Sequence, residues 1–188
     1  TRFVAVRGNQ IATSTDGISW TLRTWSGTST GWLGVGAGGI VGKELIVAVG
    51  TGGTMATSAD GGVTWTERTS GFGSTNIADV SYGRGLWIAV GYLGKVTTSI
   101  DGITWTPHDV GFGTTTVYAA AYGAGRWVVT GQSGYIATTL DGITWEMKTP
   151  ITATIIIGVS HISGLFIGVG GSQVLLNNVR QDDYTNLS

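Results

Sequence analysis

Apolar residues along this chain fall in short bursts between glycine-rich polar stretches, and no run repeats at the 3.6-residue period of an amphipathic helix. Five bursts share one phrase: FVAVRG at 3–8, IVAVGTGG at 46–53, WIAVGYLG at 87–94, WVVTGQSG at 127–134 and FIGVGGS at 166–172. A second phrase precedes it, as IADVSYGRG at 77–85, VYAAAYGAG at 117–125 and IIIGVSHISG at 155–164, with WLGVGAGG at 32–39 a looser copy. A third, of the KVTTS type, follows and runs into an acid, one or two glycines and a tryptophan. Gly123-Ala124-Gly125, Gly131-Gln132-Ser133-Gly134 and Asp141-Gly142 punctuate the fourth unit, and glycine there supplies the positive φ of tight hairpins. Each unit therefore reads as four antiparallel strands, A to D, the pattern of a β-propeller blade.

The first unit supplies only strands B, C and D, and the fifth only A, B and C. The expected fold is all-β: a β-propeller of about five four-stranded antiparallel blades, the first and last incomplete and closed by the termini. One domain is expected over 1–180, with a polar tail at 181–188. Open sheet edges invite pairing, so a longer parent ring and strand exchange between copies are the alternatives to closure. In this meander the A–B and C–D turns share one face. The B–C turns and D–A crossovers share the other.

The recurring corner is Ser14–Trp20, Ser58–Trp65, Ser99–Trp105 and Thr139–Trp145, with its tryptophans 45, 40 and 40 residues apart. Ser58-Ala59-Asp60-Gly61-Gly62-Val63-Thr64-Trp65 resembles the full Asp-box, or BNR repeat, of sialidase-like propellers; the other three are one residue shorter. The pattern is also similar to propellers of phage tail-associated and secreted bacterial proteins. The resemblance covers four of the five units and implies an architecture more than an activity. Chemistry explains the residues locally. A carboxylate at Asp16, Asp60, Asp101 or Asp141 can accept backbone N–H groups two or three positions on. The rings of Trp20, Trp65, Trp105 and Trp145 can pack between neighbouring sheets. These eight positions are therefore expected to be structural.

Composition narrows the function. The formal net charge is −1 and the three lysines and seven arginines are scattered, so no basic stripe exists for phosphate neutralisation. With no cysteine there is no disulfide or thiolate metal site. The uncharged stretch between Lys148 and Arg180 is broken by glycine, serine, His161 and Gln173, which argues against a membrane-spanning helix. Thr1 in place of Met reads as a processed start or the start of a fragment.

Outside the boxes, seven carboxylates remain: Glu44, Glu67, Asp79, Asp109, Glu146, Asp182 and Asp183. Glycoside hydrolysis needs two facing each other across a sugar, and only Asp79, on a strand A, is placed to line a central channel. The Phe/Tyr-Arg-Ile-Pro motif that the sialidase resemblance would imply is absent. His108 and His161, the only imidazoles, stand in different contexts without an acid cluster. Neither a metal, another cofactor nor catalysis is expected. The crossover face instead offers Trp25, Phe72 and Phe112 at aligned positions, with Asn9, Gln10, Tyr92, Gln132 and Tyr135 in the B–C turns. Aromatics beside amides and hydroxyls suit stacking on sugars or docking on protein, whereas a structural role would have Phe72 and Phe112 plug gaps between blades. The expected function is a non-enzymatic interaction module of a virion or extracellular protein. It would contact a cell-surface glycan, a receptor or other virion proteins, with homo-oligomers allowed. A sialidase-like hydrolase and a purely structural assembly module are the competing readings.

Overall fold

The computed structural model describes residues 3–25, 27, 31–40, 42–149, 154–171 and 173–178. The first sheet holds β1 (Phe3–Arg7), β2 (Gln10–Ser14) and β3 (Thr21–Arg23); the second β4 (Trp32–Gly38), β5 (Leu45–Gly50), β6 (Met55–Ser58) and β7 (Thr66–Glu67). The third contains β8 (Ile77–Gly83), β9 (Leu86–Gly91), β10 (Lys95–Ser99) and β11 (Thr106–Asp109). The fourth has β12 (Val117–Gly123), β13 (Arg126–Gly131), β14 (Ile136–Thr139) and β15 (Glu146–Lys148); the fifth β16 (Gly158–Ile162), β17 (Leu165–Gly170) and β18 (Gln173–Asn178). All pairings are antiparallel between sequence neighbours, so every sheet is a meander with the expected strands present and missing. The termini assigned to closure and the tail at 181–188 fall outside the described residues.

Turn chemistry sets these hairpins. Arg84-Gly85 joins β8 to β9 with φ of 49° and 79°, both in the left-handed region that two-residue hairpins require. In the second to fourth sheets a tight 3₁₀ turn joins B to C, followed by an extended residue that returns an N–H to the turn. Strand D is shorter than the sequence pattern suggests. It begins one residue after each box tryptophan, because the turn still occupies that residue.

The strands of type A (β4, β8, β12, β16) contact one another in succession and form the innermost layer, the arrangement of propeller blades about an axis. The core lies between sheets. On strand B, residues alternate faces: Trp87 and Ala89 of β9 pack back on Val47 and Val49 of β5, while Ile88 and Val90 pack forward on Trp127 and Val129 of β13. The alternation follows from the two-residue period of a strand, and both faces are apolar because both are covered.

Close packing between blades demands glycine at the end of strand A. A Cβ on Gly38, Gly83 or Gly123 would lie 2.1, 2.5 and 1.9 Å from the ring of Tyr82, Tyr122 and His161 respectively. Each aromatic thus lies over the glycine of the blade before it.

Candidate functional site

Each box closes on itself. Asp16 Oδ1 accepts the N–H groups of Ile18 and Ser19, both at 2.8 Å, and the Ser14 hydroxyl at 2.9 Å. Ser14 Oγ in turn accepts the Gly17 N–H at 2.8 Å. Asp101 and Asp141 repeat this set with Ser99 and Thr139. In the longer box the extra glycine moves the bonds on by one residue: Asp60 accepts from Val63, Thr64 and Ser58, plus the Thr64 hydroxyl at 2.6 Å. Donors converging on an anion favour its charged form. The N–H groups of Ile18 and Ser19 lower the Asp16 pKa to about 2, and those of Ile143 and Thr144 do the same for Asp141. The Thr64 hydroxyl and N–H hold Asp60 well below the usual range. Trp20, Trp65 and Trp105 donate their Nε1–H to the carbonyl of the box glycine, whereas the buried Nε1 of Trp145 has no partner among the described residues. The four acids belong to four separate corners.

The crossover face differs from its expectation. Phe72 and Phe112 are fully buried: Phe72 sits among Val49, Met55 and Ile77, and Phe112 among Val96, Val110 and Val117. Each lies against the glycine closing a strand B, where a Cβ on Gly91 or Gly131 would come within 2.8 Å of the ring. These two side chains plug the blades and do not offer rings for stacking. Trp25 is half-buried, edge-on to Trp32 at 5.0 Å. Tyr135 is half-buried against Phe112 at 5.7 Å. Gln132 and Tyr92 remain exposed, Tyr92 edge-on to Tyr118 at 6.3 Å, as do Asn9 and Gln10.

A larger concavity lies on the box face, which the sequence reading assigned to scaffolding. A cleft of about 600 Å³ opens between the second and third blades, lined by Ile40, Lys43, Tyr82, Ile100 and Ile103, with Trp87 as its floor. The equivalent groove between the third and fourth blades, over Tyr122 and Trp127, measures about 250 Å³. The difference comes from one connection. Residues 39–44 join β4 to β5, where Arg84-Gly85 suffice between β8 and β9. The long loop turns on itself through the Lys43 N–H to the Ile40 carbonyl and the Gly42 N–H to Glu44, and forms an extra wall. Ile40, Ile103 and the 83% exposed Ile100 present an apolar rim, with Lys43 and Glu44 at its edge. The sequence carried a trace of this loop in the 45-residue first interval between box tryptophans.

The other titratable groups are dispersed. Asp79 is half-buried on β8 and accepts the N–H groups of Val80 at 2.8 Å and, across the blade boundary, Ala120 at 3.0 Å. Burial raises its pKa against these two bonds. Glu146 pairs with Lys148. Burial lowers the His108 pKa, and its Nε2 lies 2.7 Å from the Thr98 hydroxyl. Among the described residues no three His, Asp or Glu side chains come together as a metal site, and no helix is long and apolar enough to cross a membrane.

No protein-family model matches the chain, and no curated protein sequence matches it. Solved structures do. Virginiamycin B lyase from Staphylococcus aureus superposes with a TM-score of 0.74 at 13% identity, over 86% of this chain and 56% of that one. The nidogen of a nidogen/laminin complex gives 0.70 at 12% identity, over 94% and 73%. YCF48 bound to D1 peptide gives 0.68 at 15% identity, over 95% and 60%. All three are β-propellers, and the fold of this chain is theirs. It spans little more than half the length of the lyase and of YCF48.

Proposed function

We propose that this chain is a binding module without catalytic activity, and that its box-face cleft takes an apolar side chain of a protein or peptide partner. The observation that carries this is the long 39–44 connection, which deepens one of a repeated set of grooves and rims it with exposed Ile40, Ile100 and Ile103. Exposed aliphatics around a concavity are the surface chemistry of protein recognition. Lys43 and Glu44 would orient a peptide by its polar groups. The structural neighbours include one propeller bound to a peptide and one in a complex with laminin, which agrees with this use of the fold. The absence of catalysis is supported by the box carboxylates, each of which has its Oδ1 engaged by its own turn. A phage appendage or secreted bacterial protein is the setting the box pattern suggests, and it rests on that resemblance.

Panning a random peptide library against the chain tests the reading. Peptides with a central aliphatic or aromatic residue should be enriched, and Ile100→Glu should abolish their capture while leaving the far-UV spectrum unchanged. Absence of enrichment, or capture indifferent to Ile100→Glu, would refute it. Glycan contact through the other face, centred on Tyr92 and Gln132, predicts instead a glycan-array signal lost in Tyr92→Ala. Turnover of a fluorogenic glycoside would establish a hydrolase.

A further inference from the structure

Each box tryptophan is followed, three residues on, by a basic side chain: Arg23, Arg68, His108 and Lys148. The first three make the same contact. Arg23 Nε donates to the Thr13 hydroxyl at 2.8 Å and Arg68 Nε to that of Thr57 at 2.9 Å, and His108 Nε2 lies 2.7 Å from the Thr98 hydroxyl. All three threonines are buried on a strand C. A guanidinium is charged at every working pH and extends past the nitrogen that bonds the threonine. The imidazole ends at that bond, so its charge, when present, stays at the depth of Thr98. In this series only the third blade carries a group that gains and loses its charge near neutral pH.

The position lies at a blade boundary. The corner of the fourth blade rests on the face of the third that carries Thr98: a Cβ on Gly142 would lie 2.5 Å from Leu86 Cδ2 and 3.4 Å from Thr98 Cγ2. Asp141 of that corner is the charge that faces the His108 ring. It is exposed, and its Oδ1 already accepts the Ile143 and Thr144 N–H groups and the Thr139 hydroxyl. The charges on the other elements around the ring are engaged elsewhere. Lys95 of β10 donates to the Phe72 carbonyl and the Thr75 hydroxyl, Asp109 of β11 accepts the Gly111 N–H, and Glu146 of β15 pairs with Lys148 beside Arg126. A solvent-screened anion offsets little of the cost of charging a half-buried ring, and burial outweighs Asp141 in lowering the His108 pKa. A neutral Nε2 can accept the Thr98 hydroxyl, whereas an imidazolium can only donate. From these contacts we propose that His108 is a proton-operated joint: when its ring takes up a proton, the fourth-blade corner loosens from the third blade. The joint is independent of the cleft and of its partner.

Folding favours the neutral ring, so the contribution of His108 is complete above about pH 6.5, the value of a free imidazole, and is lost as pH falls toward its lower folded value. The chain has two histidines, so proton NMR can follow both titrations, and the Cε1 signal missing from His108→Gln assigns His108. Its midpoint should lie below about 6.5 and fall further in Asp141→Asn, which removes the facing charge while leaving an oxygen for the turn. Between about pH 7.5 and about pH 5.5 the wild type should lose more melting temperature than His108→Gln or His108→Arg, neither of which titrates there. The titration of Asp79 is common to all three and cancels in the comparison. Amide protection in β11 and across 139–145 should drop over the same interval by a larger factor than in β5 and β6. A midpoint at or above the free-imidazole value would overturn the proposal. So would equal pH profiles in the wild type and both variants, or a loss of protection spread evenly over the blades.

Discussion

Asp16 takes all three of its hydrogen bonds on Oδ1, which an asparagine carbonyl can reproduce while losing the charge. This separates geometry from electrostatics. The Asp16 and Asp141 pKa values are lowered to about 2, so the folded state binds fewer protons than the unfolded chain at acid pH. Their stabilisation is complete above about pH 4, the unfolded carboxylate value, and is lost as pH falls toward about 2. Asp16→Asn together with Asp141→Asn should make the fall in melting temperature between those limits shallower, read by thermal scans at stepped pH. Asp79 works in the opposite sense. Burial raises its pKa, so its protonated form favours folding, and stability falls as pH rises above about 4 toward its folded value. Asp79→Asn should remove that decline. It also sets an uncharged amide against the Val80 and Ala120 N–H groups, where only one oxygen remains to accept. The box acids were readable from sequence because Asx-turn chemistry is local. The environment of Asp79 was not, since its second donor comes from a residue 41 positions on.

Among elements, the D–A crossovers show where sequence reading stops. Phe72 and Phe112 stand at loop positions beside glycine and threonine, and composition alone allows either a displayed ring or a plug. The deciding contacts come from Gly91 and Gly131, in the strand B that follows each crossover. Phe72→Ala and Phe112→Ala should therefore each cost about 3–5 kcal/mol, the range for a large aromatic removed from a packed core. Tyr92→Ala, at an exposed turn, should stay within about 0.5 kcal/mol. Chemical denaturation of the three variants measures both. A Phe72→Ala variant as stable as wild type would return that ring to the surface. The same limit hid the cleft. Four extra residues between β4 and β5 were countable, but their wall exists only because Tyr82 and Ile100 of the next blade stand opposite.

At the scale of the molecule, stability in a repeat array is close to a sum of units and the interfaces that join neighbours. Among the described residues the second to fourth blades pack on a neighbour at both faces and the first and fifth at one, so the first and fifth should open before the rest. Amide exchange would resolve this order: protection should be highest in β8, β9, β12 and β13, whose residues build the largest buried clusters, and lowest in β1–β3 and β16–β17.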